Sequence, residues 1–252
     1  MVAGLEVFKR YFGGYENQYV LIGGTACDIL FEENESSFRV TKDFDIVLVV
    51  KALTAEFGSV FWKFIEDGEY ENKFVSNNQP QFYRFSNPKV PGFPKMIELF
   101  GRPSHTLTES NNLTPIHIDD DISSLSAILL DKDYYDCLIA GRTIINGVSI
   151  LRAEYLILFK AKAHMDLKLR KDEGERIDSK NIRKHKNDIL RLTAEMYLED
   201  IAELPISVHS DMQQFINLLK QEPFNWEMTA KYGQTPESLR RRLSKMFKAA
   251  AD

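Results

Sequence analysis

Residues 21–50 read LIGGTACDILFEENESSFRVTKDFDIVLVV, and the order of their textures sets the fold. The apolar stretch QYVLIGG ends at Gly23 and Gly24, where a strand gives way to a turn. TACDILFEE then carries apolar residues at helical spacing, and FDIVLVV is β-branched and apolar, a central strand by composition. That last strand holds Asp43 and Asp45, although carboxylates form strands poorly and are costly to bury without a partner. Alternation along a strand points both aspartates to one face and turns Phe44 and Ile46 to the other. Two neighbouring carboxylates repel unless a cation lies between them, and a hard divalent ion, Mg²⁺ above all, takes oxygen ligands of this kind.

The preceding turn adds a second half to this chemistry. Glycine at 23 and 24 permits close backbone approach, and a helix start offers unpaired N–H groups to an anionic phosphate. Thr25 adds a hydroxyl. Neither the P-loop spacing nor a GxGxxG fingerprint is present. Two other close pairs, Asp119/Asp121 in HIDDDISS and Asp131/Asp133 in LLDKDYYD, lack such a context and read as loop or turn acids.

Outward from this core, residues 5–12 read as a short helix. LTAEFGSVFWKFIEDGEY places Phe57, Val60, Phe61, Phe64 and Ile65 on one helical face. QFYRFS and KMIELF read as strands joined by the turn NPKVPGFP, and SLSAILL and RTIINGVSIL as further strands. From Arg152 the texture becomes helical: RAEYLILFKAKAHMDLKLRK, a break at DEGERID, then SKNIRKHKNDILRLTAEMYLE and helices around 207–221 and 236–249. The last opens with TPES, a threonine cap followed by proline at the first helical position. The expectation is an α+β protein: a catalytic domain over residues 1–150, built as a mixed sheet with flanking helices, and a helical domain over 151–252.

The 252 residues are enough for a substantial core, and 44% apolar with 27% charged residues is the balance of a soluble globular chain. No apolar run approaches the roughly 20 residues of a membrane helix. MVAGLEVFKRYFGG lacks the apolar centre of a secretory signal, so a cytoplasmic location is expected. Cys27 and Cys137 are far apart in the chain and read as free buried thiols. The five histidines form no HExxH or Cys/His cluster, which argues against zinc. Residues 151–252 hold 19 Lys+Arg against 16 Asp+Glu, whereas 1–150 hold 13 against 21. This asymmetry suits a metal-binding half joined to an anion-binding half, and it equally suits ordinary solvated faces.

GGTACDIL at 23–30 and RVTKDFDIVL at 39–48 resemble the nucleotidyltransferase superfamily with the DNA polymerase β-like catalytic fold. The likeness is strongest to the AbiEii/AbiGii toxin-type nucleotidyltransferases, and AEYLILFKAKA and KHKNDILRL match them more loosely. In that family a Gly-Gly or Gly-Ser turn precedes two metal-binding aspartates, and a later strand brings a third carboxylate. KMIELF supplies Glu98 at that place, where the family often has aspartate. The resemblance further implies Lys160 as a contact to the triphosphate, and a K-D-x-x-D segment that reads here Lys184-His185-Lys186-Asn187-Asp188, with histidine in place of the first aspartate.

The activity implied is transfer of a nucleoside monophosphate from an NTP to an acceptor hydroxyl. Asp43, Asp45 and Glu98 would hold two Mg²⁺ ions, Mn²⁺ being a substitute, and Gly23, Gly24, Thr25, Lys42, Lys160 and Asp188 would bind the nucleotide. The resemblance implies an RNA or tRNA acceptor and a cognate antitoxin. The stretch 160–191, with 11 Lys+Arg against 6 acids, suits an RNA backbone or is a solvated surface. An aminoglycoside-type small molecule or a protein as acceptor, and a non-catalytic antitoxin-like relative, are the alternatives.

Overall fold

A computed structural model describes residues 2–39, 41, 43–72, 82–100, 128–129, 131–201, 203–222, 230 and 232–248. Lys42, the Asp119/Asp121 pair and most of SLSAILL lie outside these residues; Ile128 and Leu129 of that segment are helical, not extended. The chain divides into two compact units, Met1–Ile118 with Gly141–Arg152, and Asp119–Ala140 with Ala153–Asp252.

The first unit is a mixed seven-stranded sheet in the order β3-β4-β5-β2-β1-β7-β6. Its strands are β1 (Tyr19–Ile22), β2 (Asp43–Leu48), β3 (Glu71–Asn72), β4 (Phe82–Ser86), β5 (Met96–Phe100), β6 (Arg142–Ile145) and β7 (Val148–Leu151). β2 runs parallel to β5 and β1 parallel to β7, and the remaining neighbours are antiparallel. RTIINGVSIL is two strands rather than one, because Asn146 and Gly147 both take positive φ (51° and 76°) and close a hairpin.

Helices α1 (Leu5–Phe12) and α3 (Ala55–Asp67) bring an aromatic layer against this sheet. Thr54 caps α3 by accepting the Phe57 amide at 3.2 Å, and Phe57, Phe61, Phe64 and Ile65 form its buried face, with Val60 at the margin. Phe8 meets Phe12, Tyr19, Phe44 and Phe64 at centroid distances of 4.4–6.0 Å. Helix α2 (Gly23–Glu33) lies against β1 and β2 and buries Cys27.

The second unit is helical: α4 (Lys132–Ala140), α5 (Ala153–Asp172), α6 (Ser179–Glu195), α7 (Ile206–Gln221) and α8 (Pro236–Met246). Asp131 Oδ1 accepts the Asp133 and Tyr134 amides at the start of α4, a turn acid as its sequence context suggested. Helix α5 is buried without a break from Ala153 to Ala161, as befits a helix at the centre of its unit, and it packs against α6 and α7. Helix α8 carries the cap expected from TPES, with Thr235 and Ser238 bonding reciprocally across Pro236. Arg242 of α8 donates to the carbonyls of Thr193 and Met196, both at 2.6 Å, satisfying the C-terminal end of α6. Cys137 is a free buried thiol, pushed up to about 12 by burial. Among the described residues, no helix is long and apolar enough to cross a membrane.

Candidate active site

The strand register aligns charged residues across three neighbouring strands. Asp45 of β2 lies opposite Glu98 of β5, and Glu98 lies opposite Arg84 of β4. Residues directly opposite in a sheet share a face, so these three side chains form one row. Their neighbours Phe44, Ile97 and Phe85 turn the other way into the aromatic core, where Phe44 meets Phe8 at 5.4 Å and Phe85 meets Phe61 at 5.7 Å. Asp43, two residues before Asp45, shares the charged face and is exposed. Adjacent strands sit about 4.8 Å apart, so Asp45 and Glu98 are immediate lateral neighbours.

Glu98 is 6% exposed and is held by Arg84. The guanidinium Nε donates to Glu98 Oε1 at 3.0 Å and Nη2 approaches the same oxygen at 2.8 Å. A carboxylate this deep in the sheet needs such a partner. Sequence reasoning missed Arg84, although the alternation in FYRFS puts it on the face opposite Phe85.

Backbone and carboxylate meet at the glycine turn. Gly23 has φ of 64°, and a Cβ there would stand 1.8 Å from Asp45 Oδ2. Only glycine lets the start of α2 come against this aspartate. At Gly24 a Cβ would fall 2.4 Å from Thr41 Cγ2 and 3.5 Å from the Arg39 guanidinium. Thr25 is fully buried, and its hydroxyl donates to the Asp43 carbonyl at 2.7 Å. The hydroxyl expected to face a phosphate instead ties α2 to β2.

Three hard oxygen donors on one face suit Mg²⁺ or Mn²⁺ by type. As placed, however, no three His, Cys, Asp or Glu side chains among the described residues come together closely enough to hold a metal ion. Among the described residues, the cation that Glu98 meets is Arg84.

In the second unit the structure brings Lys160 and Asp188 together. Lys160 Nζ bonds Asp188 Oδ2 at 2.7 Å, and the two side chains are only 6% and 5% exposed. His185, one turn before Asp188, has both ring nitrogens shut off from solvent without a hydrogen-bond partner. Burial holds this imidazole well below its ordinary range, and the Lys160 and Lys184 charges push the same way, so it is neutral. His164 is also lowered by burial, and its Nδ1 pairs with the Ile182 carbonyl at 2.9 Å.

Lys186 departs from its expected place on a basic surface. It is buried and bonds Glu222 at 2.6 Å, while Lys168 reaches the same carboxylate at 2.9 Å. Burial would raise Glu222, but the hydrogen bonds from Lys186 and Lys168 outweigh it and hold the carboxyl at about 2. Lys180 and Arg183 remain exposed on α6.

No protein-family profile matches the chain, and no curated protein matches it. Among solved structures, the crystal structure of the Megavirus polyadenylate synthase is similar at 12% identity and a TM-score of 0.30, over 98% of this chain and 50% of that one. This chain therefore spans about half the length of that protein. A likeness at this level carries no weight for fold or activity beside the sheet register and its carboxylates.

Proposed function

We propose that the chain is a metal-dependent nucleotidyltransferase that moves a nucleoside monophosphate from an NTP to an acceptor hydroxyl, with release of pyrophosphate. The supporting observation is the register of Asp45 with Glu98, with Asp43 on the same face and the Gly23 turn against Asp45. Asp43, Asp45 and Glu98 would hold Mg²⁺, with Mn²⁺ as a substitute. Bound there, the ions would lower the pKa of the attacking hydroxyl and offset charge on the leaving pyrophosphate.

The chain's own part is positioning. Strand β2 carries both aspartates on one face, which limits the rearrangement they need to meet an ion. The N-terminal end of α2, brought close by Gly23 and Gly24, favours an anion beside the carboxylates. Thr25 holds that helix end to β2 from behind. Phosphoryl transfer of this kind rests on placement and charge, so the buried thiols of Cys27 and Cys137 have no part in it. Lys160 and Asp188, expected at the nucleotide, are bonded to each other, and any contact of Lys160 with phosphate starts with release from Asp188.

RNA is the acceptor in this reading, carried by the resemblance and by Lys180 and Arg183 on the surface of α6; the cognate antitoxin rests on the resemblance alone. The test is incubation with each α-³²P-labelled NTP, Mg²⁺ and total RNA or lysate. Metal-dependent label in RNA that Asp45→Asn abolishes, at little change in melting temperature, supports the reading. Label in a small molecule or a protein reassigns the acceptor. Equal labelling by Asp45→Asn removes Asp45 from the chemistry.

A further inference from the structure

We propose that Arg84 is the resident counter-ion of Glu98, and that a divalent cation binding beside Asp45 takes this carboxylate from it. The inference rests on the metal-site reading above and adds a residue which that reading does not use. Asp45 and Glu98 are register neighbours on parallel strands, and two carboxylates so placed repel. The sheet answers with a cation of its own, because Arg84 is the register neighbour of Glu98 on the opposite side. The Nε and Nη2 contacts to Glu98 both fall on Oε1, at 3.0 and 2.8 Å, so they converge on one oxygen of the carboxylate. Meanwhile the acidic side chains among the described residues do not gather into a metal-holding group. Glu98 is given to Arg84.

The consequence is competition between like charges for one carboxylate. A divalent ion entering beside Asp45 and Glu98 places positive charge next to the guanidinium in a partly solvated part of the sheet, where repulsion is only partly screened. Arg84 thus stabilises the metal-free protein and opposes metal entry. Removing its charge has effects of opposite sign: a less stable apoprotein and a tighter metal site. A residue that merely holds the strand in shape would not act this way, since its loss would loosen the site or leave it alone.

The experiment is titration of the full chain with Mn²⁺, followed by calorimetry and by the free-Mn²⁺ electron paramagnetic resonance signal. Arg84→Gln is expected to tighten Mn²⁺ binding about tenfold, the scale of one charge removed near the ion in partly solvated surroundings. Its melting temperature falls in EDTA, and saturating Mn²⁺ restores most of the difference. Arg84→Lys keeps the charge, and its Mn²⁺ affinity stays within about twofold of the native chain. Unchanged or weaker Mn²⁺ binding by folded Arg84→Gln overturns the proposal. Should that variant fail to fold, ¹⁵N spectra of the native chain decide, with the Arg84 Nε–H signal identified by its absence in Arg84→Lys. Addition of Mg²⁺ moves that signal if Glu98 is handed over, and a signal that stays fixed while Mg²⁺ binds refutes the handover. A native chain that binds no Mn²⁺ at all sinks the metal-site reading itself, an outcome distinct from native binding without tightening in Arg84→Gln.

Discussion

Replacing Gly23 by alanine probes the contact on which the site's geometry depends. Two costs combine at this position. An L-residue held in the left-handed region, here φ of 64°, costs about 1–2 kcal/mol. The added Cβ would also stand 1.8 Å from Asp45 Oδ2, 2.8 Å from its Cγ and 3.3 Å from its Cβ, so the carboxylate has to swing away. Forced displacement of this kind adds about 1–3 kcal/mol. Gly14 provides a control in the same unit, because its φ is 90° and a Cβ there would meet nothing within 4 Å. Urea unfolding followed through the first unit is expected to show a loss of about 3 kcal/mol for Gly23→Ala and roughly half that for Gly14→Ala. Gly23→Ala also weakens Mn²⁺ binding, because Asp45 has moved, whereas Gly14→Ala leaves it unchanged. Equal losses in the two variants would refute the close approach of α2 to Asp45.

The buried pair in the second unit makes a further prediction. Asp188→Asn leaves the Lys160 ammonium without its carboxylate, and denaturant titration is expected to show a loss of about 3–5 kcal/mol. The apolar double replacement Lys160→Met with Asp188→Leu recovers most of that loss. Glu222 predicts an acid limb. Its folded pKa, about 2, lies below the ordinary value of 4.5, so its contribution is complete above about pH 4.5 and disappears as pH falls from there through about 2. Stability measured between pH 7 and pH 2 should show that limb flattened in Glu222→Gln, and an unchanged limb would remove the cluster of Lys168, Lys186 and Glu222 from the account.

Much of the first unit is legible in the sequence because strand alternation is a local rule. The period-two pattern in FDIVLVV assigns Asp43 and Asp45 to one face, and KMIELF assigns Glu98 between apolar neighbours, without knowledge of the fold. Strand order is not local. Nothing in FYRFS says that Arg84 will stand beside Glu98, because that depends on which strand β5 pairs with and in which register. The basic stretch 160–191, read as a possible RNA-facing surface, misleads at Lys186 for a related reason. Residues three apart on a helix lie about 60° apart around its axis, enough for Arg183 to face solvent while Lys186 turns under toward Glu222. Thr25 shows a third limit: the sequence offers a hydroxyl at a helix start, but only packing decides that it bonds the Asp43 carbonyl. RTIINGVSIL reads as a strand by composition, yet its Asn-Gly dipeptide is a strong hairpin signal that reveals the turn once it is weighed.

Anomalous diffraction from crystals of the full chain grown with Mn²⁺ and a non-hydrolysable NTP tests whether Asp43, Asp45 and Glu98 hold metal. Mn²⁺ peaks are expected beside carboxylate oxygens of Asp43, Asp45 and Glu98, with Arg84 withdrawn from Glu98 Oε1. Well-ordered nucleotide with Mn²⁺ located elsewhere, and Glu98 still bonded to Arg84, would contradict that assignment.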